Sequence, residues 1–269
     1  MKNTLSIIIP TWNTAKITLK CVQTIKKHLS NIKPQIIVVD NASTDNTVDL
    51  FKKENVTLIR NSKNFGYAKA CNIGSKKATG DYLLFLNSDM EFFDNSLENM
   101  LEYFPKNPQI GLIGPQFLNP DKTIQASVFP PQTLINAIKE FWFKKPVYSK
   151  YSPKTKKPLS VWAISGGAVL INKDLFHQIG HWNEKYFMYF EDLDLCRKIH
   201  QQGKLVFYYP QAKLIHRHGA SGHKLVNSQN QWRRLIPSSK IYHGWINHYL
   251  LFLITRLSQK LSKSLNSTL

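Results

Sequence analysis

Three acids fall within four residues in the run Phe187-Met188-Tyr189-Phe190-Glu191-Asp192-Leu193-Asp194. Carboxylates crowded against each other and against aromatic rings are expected to include one with a raised pKa, which suits a general base. The same run also fits the first turn of a helix, where acids meet the positive end of the macrodipole. A second cluster, Leu86-Asn87-Ser88-Asp89, closes an apolar run. A carboxylate there can hold a divalent metal ion that neutralises a departing diphosphate, although an Asp in that place also forms turns.

Three further segments could serve such a site. Asp40 ends the β-rich run Gln35–Val39 and can accept hydrogen bonds from a base or ribose; the following Ser43 and Thr44 read equally as a helix N-cap. Gly66, in Asn64-Phe65-Gly66-Tyr67, allows close backbone approach to a phosphate or base at a helix start. His216 opens the run His216-Arg217-His218-Gly219-Ala220-Ser221-Gly222-His223 and can ligate a metal or meet a diphosphate. A structural zinc site is not expected there, because no cysteine partner lies nearby.

The elements that must position these residues alternate. Apolar runs at Leu5–Ile9, Gln35–Val39, Val56–Ile59 and Asp81–Leu86 are separated by helical patterns at Thr14–Leu29, Thr44–Lys53 and Tyr67–Lys77. That order implies βαβ units and a mostly parallel sheet with flanking helices. Ligands of such sheets bind beyond the carboxyl ends of the strands, where Pro10–Asn13, Asp40 and Asn87–Asp89 all fall. Residues 120–160 read as a loop-rich insertion with a short helix near Leu134–Phe143. Strand character returns at Val161–Ile171, a helix is expected over Glu191–Gln202, and strands over Leu205–Tyr209 and Lys213–His216.

Composition narrows the function. A chain of 269 residues, 42% hydrophobic and 12% aromatic, can build a packed core. Cys21, Cys71 and Cys196 are too few and scattered for a disulfide framework and read as free thiols of a reducing compartment. The first apolar run is too short for a secretory signal, and no run reaches bilayer-spanning length. Net charge is +19 and uneven: residues 1–130 carry 15 Lys+Arg against 11 Asp+Glu, residues 131–269 carry 21 against 6, and no acid follows Asp194. This asymmetry points to a polyanionic partner. Nucleic acid is not expected, because no helix-turn-helix, zinc finger or RNP motif is present. A nucleotide-dependent oxidoreductase is disfavoured because no GxGxxG follows the first strand.

Taken in order, SIIIPTWN, IIVVDNASTDNT, NFGYAKACNIG, GDYLLFLNSD, ISGGAVLINKDLF, YFMYFEDLDLCRK and HRHGAS resemble glycosyltransferase family 2, closest in wording to its bacterial rhamnosyltransferase-like branch. The resemblance covers about residues 4–225. It implies a GT-A, Rossmann-like α/β fold and an inverting transfer of a hexose or deoxyhexose from a nucleoside-diphosphate sugar, dTDP-L-rhamnose or a UDP-hexose. The implied acceptor is a cell-envelope glycan or a lipid-linked molecule of polysaccharide or lipopolysaccharide synthesis. Asp192 would be the general base with Glu191 beside it. Pro10, Thr11, Asn13, Asp40, Asn64, Gly66, Asn87 and Gly166 would bind substrate. Asp89 and His216 would hold Mg2+ or Mn2+. Asn87 stands where the family's metal motif has its first Asp, which leaves one carboxylate for the ion. A catalytically inactive nucleotide-sugar-binding paralogue is the alternative.

The catalytic domain is expected over residues 1–235, followed by a basic amphipathic helix over 236–269. Ile241, Trp245, Tyr249, Leu253, Leu257, Leu261 and Leu265 recur at helical spacing among Lys240, Arg256, Lys260 and Lys263. This helix, with Trp142, suits an anionic membrane surface and a cytoplasmic protein peripheral to the inner face of the cell membrane. Packing on the catalytic domain, or on a second copy in a homodimer, is the other reading.

Overall fold

The computed structural model describes residues 4–29, 31–217 and 228–266, with the side chains of 228–233 and 261–266 left aside. In chain order the first half comprises β1 (Leu5–Thr11), α1 (Ala15–His28), β2 (Gln35–Asp40), α2 (Thr47–Phe51), β3 (Thr57–Arg60), α3 (Tyr67–Ser75), β4 (Tyr82–Leu86), β5 (Met90–Glu91) and α4 (Ser96–Tyr103). There follow β6 (Ile110–Leu118), β7 (Ile124–Gln125), β8 (Val128–Phe129), α5 (Leu134–Phe143), β9 (Leu159–Val161), β10 (Ala163–Ile164), β11 (Ala168–Asn172) and α6 (Lys173–Gln178). The chain closes with α7 (Glu191–Gln201), β12 (Leu205–His216), α8 (Ser228–His243) and α9 (Trp245–Asn266).

The main sheet runs in the order β3-β2-β1-β4-β11-β6-β12-β5. Its first four strands are parallel, as the alternation of strands and helices predicts. β11 then enters antiparallel to both β4 and β6, and β12 returns parallel to β6. Strands covered on both faces are apolar throughout. Ile7, Ile9, Val38, Leu84 and Leu86 point into a core shared with α1 and α4, while Ile8, Ile37, Val39, Leu83 and Phe85 point into one shared with α3, α6 and α7.

Several boundaries differ from the sequence pattern for local reasons. Pro10 does not end β1; pairing with β4 stops at Ile8, so its missing donor falls where β2 alone continues the ladder. Thr14 occupies the N-cap position of α1 without capping it, because its hydroxyl joins those of Thr11 and Thr18 at 2.9 and 3.1 Å. The two expected late strands are one strand, β12, with a bulge between Tyr209 and Lys213. The single expected terminal helix is two. Gly244, at φ +78°, ends α8 and its N–H reaches Lys240 O at 3.0 Å, after which α9 starts. The expected domain boundary at residue 235 therefore falls inside α8. Leu261, Lys263 and Leu265 have side chains outside the described residues.

Gly66 is one position where only glycine fits. Its φ is +83°, and a Cβ would sit 2.3 Å from Phe187 O, the carbonyl that accepts from Tyr67 N. Gly66→Ala combines left-handed strain with overpacking and should cost about 2–4 kcal/mol in unfolding free energy, read by urea titration.

Candidate active site

The carboxyl ends of β1, β2 and β4 open on a cleft of about 610 Å³. Pro10, Thr11, Asn41, Asn64, Gly66 and Asn87 form much of its wall. Trp12, Tyr67, Ser88, Phe187, Met188 and Arg234 complete that wall. Asn41 is locked: its amide donates to Gly66 O at 3.2 Å and accepts from Asn61 at 2.8 Å. Asp40 lies behind this wall, fully buried. One of its oxygens accepts from Ser43 N at 3.1 Å, and the other has no hydrogen-bond partner among the described residues. A buried carboxylate oxygen of that kind calls for a donor. Asn13 does not line the cleft. Its side chain accepts from Thr44 N at 2.7 Å and ties the loop after β1 to the loop after β2.

On the far side of Asn87 the chain turns and buries Asp89. His216, at the end of β12, brings Nε2 to 3.4 Å from Asp89 Oδ1. Its Nδ1 lies 2.6 Å from Gln125 Oε1, while the amide nitrogen of Gln125 donates to Asn119 Oδ1 at 2.8 Å. That network ties Nδ1 to Gln125 and leaves Nε2 facing Asp89. A buried carboxylate and an imidazole brought together in this way are a donor set that would fit a divalent cation. No group of three metal-ligating side chains occurs among the described residues. Two protein ligands suit Mg2+ or Mn2+, which take their remaining ligands from phosphates and water. The remainder of the histidine run, His218–His223, lies outside the described residues.

The acidic run 187–194 separates into distinct roles. Asp194 is structural: it pairs with Arg197 at 2.5 Å and is buried. Asp192 accepts from Gly166 N at 3.0 Å and from its neighbour Leu193 N at 2.9 Å. Burial pushes its pKa above the usual carboxylate range, and the Gly166 bond and the charge of Lys150 pull against that. Lys150 comes from the insertion after α5 and donates to Ser165 Oγ at 3.3 Å, one residue from Gly166. Glu191 is buried, with one oxygen unpartnered among the described residues. Burial first, and the Asp192 charge second, push its pKa up to about 8. Within the pair, the Gly166 bond and the Lys150 charge work against the upward shift of Asp192, which makes Asp192 the member better suited to carry the negative charge. Tyr189 and Phe190, just before, adopt φ +71° and +65°. Two successive left-handed non-glycine residues store strain. α8 holds them: Ser238 Oγ donates to Met188 O at 2.8 Å, and Phe190 packs on Tyr242 and His243.

The two acidic clusters meet at Gly166-Gly167. Gly166 N holds Asp192, Gly167 O accepts from Asn87 N at 2.8 Å, and Tyr67 OH donates to Gly166 O at 2.7 Å. Comparison with known proteins accords with this arrangement. The profile of glycosyl transferase family 2 matches residues 6–180, well over half of the chain. The chain belongs to that family. It is 28% identical over 201 residues to the N-acetylglucosaminyl-diphospho-decaprenol L-rhamnosyltransferase of Mycobacterium tuberculosis, covering 67% of this chain and 66% of that protein. It is 27% identical to the poly-beta-1,6-N-acetyl-D-glucosamine synthase of Staphylococcus aureus, over 71% of this chain and 46% of the synthase. The chain thus spans between about half and two thirds of the length of these relatives. Among solved structures, the Pyrobaculum calidifontis mannosyltransferase PcManGT in complex with GDP-Man and Mn2+ superposes with TM-score 0.61 at 18% identity, over 93% of this chain and 64% of that one. GalNAc-T7 with UDP, GalNAc and Mn2+ superposes with TM-score 0.64 at 18% identity, over 80% and 44% of the two chains. The shared fold is the GT-A fold of these glycosyltransferases.

Three residues near this site were given no role by the sequence. Tyr67 and Arg234, from a helix start and a terminal helix, line the cleft, and Lys150, from a basic loop, reaches Ser165 beside Gly166. Arg234 lines the wall and stacks on Phe187 at 5.2 Å.

The Glu191 proton has a measurable consequence. The unfolded side chain ionises near its ordinary value of 4.5, whereas the folded one holds its proton to about 8. Folded protein therefore binds more protons through that window, and this group's contribution to stability falls as pH rises from 4.5 to about 8. Glu191→Gln removes that loss. Its stability relative to the parent should be near its minimum at the acid end of the window and higher by on the order of 3 kcal/mol at the alkaline end, measured by denaturant unfolding across the range.

Proposed function

We propose that the chain is an inverting glycosyltransferase that moves a hexose or deoxyhexose from a nucleoside-diphosphate sugar to a cell-envelope glycan or lipid-linked acceptor. The observation that carries this reading is the opposition, across Gly166-Gly167, of Asp192, held by Gly166 N, and a buried Asp89–His216 pair. One cluster suits removal of a proton and the other suits reception of a diphosphate. The GDP-Man of one solved neighbour, the UDP and GalNAc of the other and the Mn2+ of both support the donor class and the use of Mg2+ or Mn2+. The rhamnosyltransferase relative supports dTDP-L-rhamnose ahead of a UDP-hexose as donor, and its decaprenol-linked acceptor supports a lipid-linked one here. A lipid-linked acceptor would place the protein at the inner face of the cell membrane.

The reaction is a single displacement. The nucleoside is held by the Pro10–Thr11 end of the cleft, with Asp40 and the locked Asn41 behind it. Asp192 accepts the proton of the acceptor hydroxyl as its oxygen bonds to the anomeric carbon. The bond from that carbon to the diphosphate oxygen breaks, and its electron pair leaves with the nucleotide. Attack from the opposite face inverts the anomeric configuration. Asp89 and His216 would hold a divalent ion, whose chemistry there would be to supply positive charge to the diphosphate. Glu191, protonated, places no second negative charge beside the base. Lys150 favours the ionised form of Asp192.

Asp192→Asn keeps the shape of the site and removes the base. Turnover should fall by about 10²–10⁴, with donor binding retained. Near-normal turnover in that variant would remove Asp192 from the role, and donor binding without turnover in the parent chain would favour the inactive paralogue. Asp89→Asn should weaken Mn2+ binding in the presence of nucleoside diphosphate by more than about tenfold, read by calorimetry and independent of turnover. Unchanged Mn2+ affinity would move the ion elsewhere.

A further inference from the structure

α5 and α9 lie side by side, joined by Trp142 Nε1 donating to Ile254 O at 3.1 Å and by Ser258 Oγ donating to Phe141 O. α9 turns Leu251, Ile254, Thr255 and Ser258 toward this contact, and Leu251 is buried there. A helix that has buried one stripe on a neighbour is expected to show water a polar face. α9 does the reverse. Trp245, Ile246, Tyr249, Leu250, Leu253 and Leu257 stand on its outer side, between 41% and 78% exposed. α5 extends the same apolar surface with Ile135, Ile138, Trp142 and Phe143, of which Phe143 is 67% exposed.

Cations are interleaved with this surface. Lys240 lies 4.2 Å from the Trp245 ring centroid and 5.1 Å from that of Tyr249, and Arg256 lies 5.7 Å from that of Phe252. Lys139, Lys144, Lys145 and Lys260 are exposed around it. The one acid of α5, Glu140, is turned away onto Tyr148 N and Ser149 N, and no acid follows Asp194. Aromatic residues with basic side chains over an aliphatic face match the boundary between headgroups and acyl chains. A second copy fits poorly. A twofold contact would set these cations against themselves, with no carboxylate in residues 195–269 to pair with them. No helix among the described residues is long and apolar enough to cross a bilayer.

We propose that the joint outer face of α5 and α9 is a docking surface for an anionic lipid bilayer, lying on the acceptor side of the cleft. The loop leaving α5 carries Lys150 toward Gly166 and Asp192, and Arg197, one turn after Asp192 on α7, donates to Tyr242 O and stacks on the Tyr242 ring at the end of α8. The docking helices are thus fastened to the helix that carries the base. The surface itself assumes nothing about the reaction; its use, delivery of a lipid-linked acceptor to Asp192, rests on the proposed transfer.

Flotation of the full chain with phosphatidylcholine vesicles, with and without phosphatidylglycerol, tests the surface. The parent protein should float with the anionic vesicles and partition at least about tenfold less onto the neutral ones, with binding weakened by salt. Trp245→Glu combined with Leu253→Glu, both at exposed positions, should lower partition onto anionic vesicles by about tenfold or more while leaving the unfolding midpoint unchanged. Absence of flotation with anionic vesicles, or flotation unaffected by the two substitutions, would overturn the proposal. So would a dimer in light scattering that the substitutions split, without vesicle binding, since a second copy would then cover the face. Asp192→Asn should float like the parent. If it floats and yet turns over normally, the reaction assignment fails and the docking surface stands.

Discussion

The site depends on a three-way contact at Gly166-Gly167. One backbone segment accepts from Tyr67 OH, donates to Asp192 and accepts from Asn87 N. Neither residue can carry a side chain there without displacing a neighbour. A Cβ on Gly166 would lie 3.1 Å from Asp192 Cβ, and one on Gly167 would lie 2.7 Å from Met90 Cε. Asp192, Tyr67 and the segment leading to Asp89 are therefore all anchored to one stretch of main chain, which fixes their spacing. That suits chemistry in which misplacement by an ångström is costly.

The second constraint is electrostatic. Glu191 and Asp192 are adjacent and alike in charge, Glu191 buried and Asp192 half-buried, so ionising one works against ionising the other. The structure breaks the symmetry. Asp192 receives two backbone donors and faces Lys150, whereas one oxygen of Glu191 has no partner among the described residues. Negative charge is favoured on the residue that faces Gly166. The left-handed Tyr189 and Phe190 are the local cost of presenting the pair this way, offset by the packing of α8 on Phe190 and Met188.

Much of this was readable from the chain alone, because the physics was local. Alternation of apolar runs with helical spacing gave the parallel half of the sheet, and the strand ends marked Asp40 and Asn87–Asp89. The short helix at Leu134–Phe143 is α5, with Thr133 capping it. What escaped was non-local. Nothing in the neighbourhood of Lys150 tells that Tyr151 pairs with Val128 and so delivers the lysine beside Ser165. Asn13 has a ligand-binding residue's position but spends its side chain on Thr44. The terminal helix was visible as amphipathic, yet its spacing cannot say which stripe meets protein. The structure shows that α9 uses a narrow inner stripe for α5 and leaves the larger apolar stripe outside.

The same charge logic extends to the donor end. With Asn87 in place of an acid, the cleft near the diphosphate carries one buried carboxylate, Asp89, rather than two. A single carboxylate leaves more of a divalent ion's charge for the phosphates, at the expense of weaker hold on the ion itself. On the proposed function, His216, held by Gln125 through Nδ1 and 3.4 Å from Asp89 through Nε2, would make up part of that hold. Arg234, the cation among the described residues lining the wall, adds charge from the opposite side. Because Arg234 rides on α8, the helix that also braces Tyr189 and Phe190 before the base, the elements leading to the docking face bear on both ends of the cleft. On the proposed function and docking surface, such a chain would couple where it sits to how it holds donor and base, through α8 packed between them.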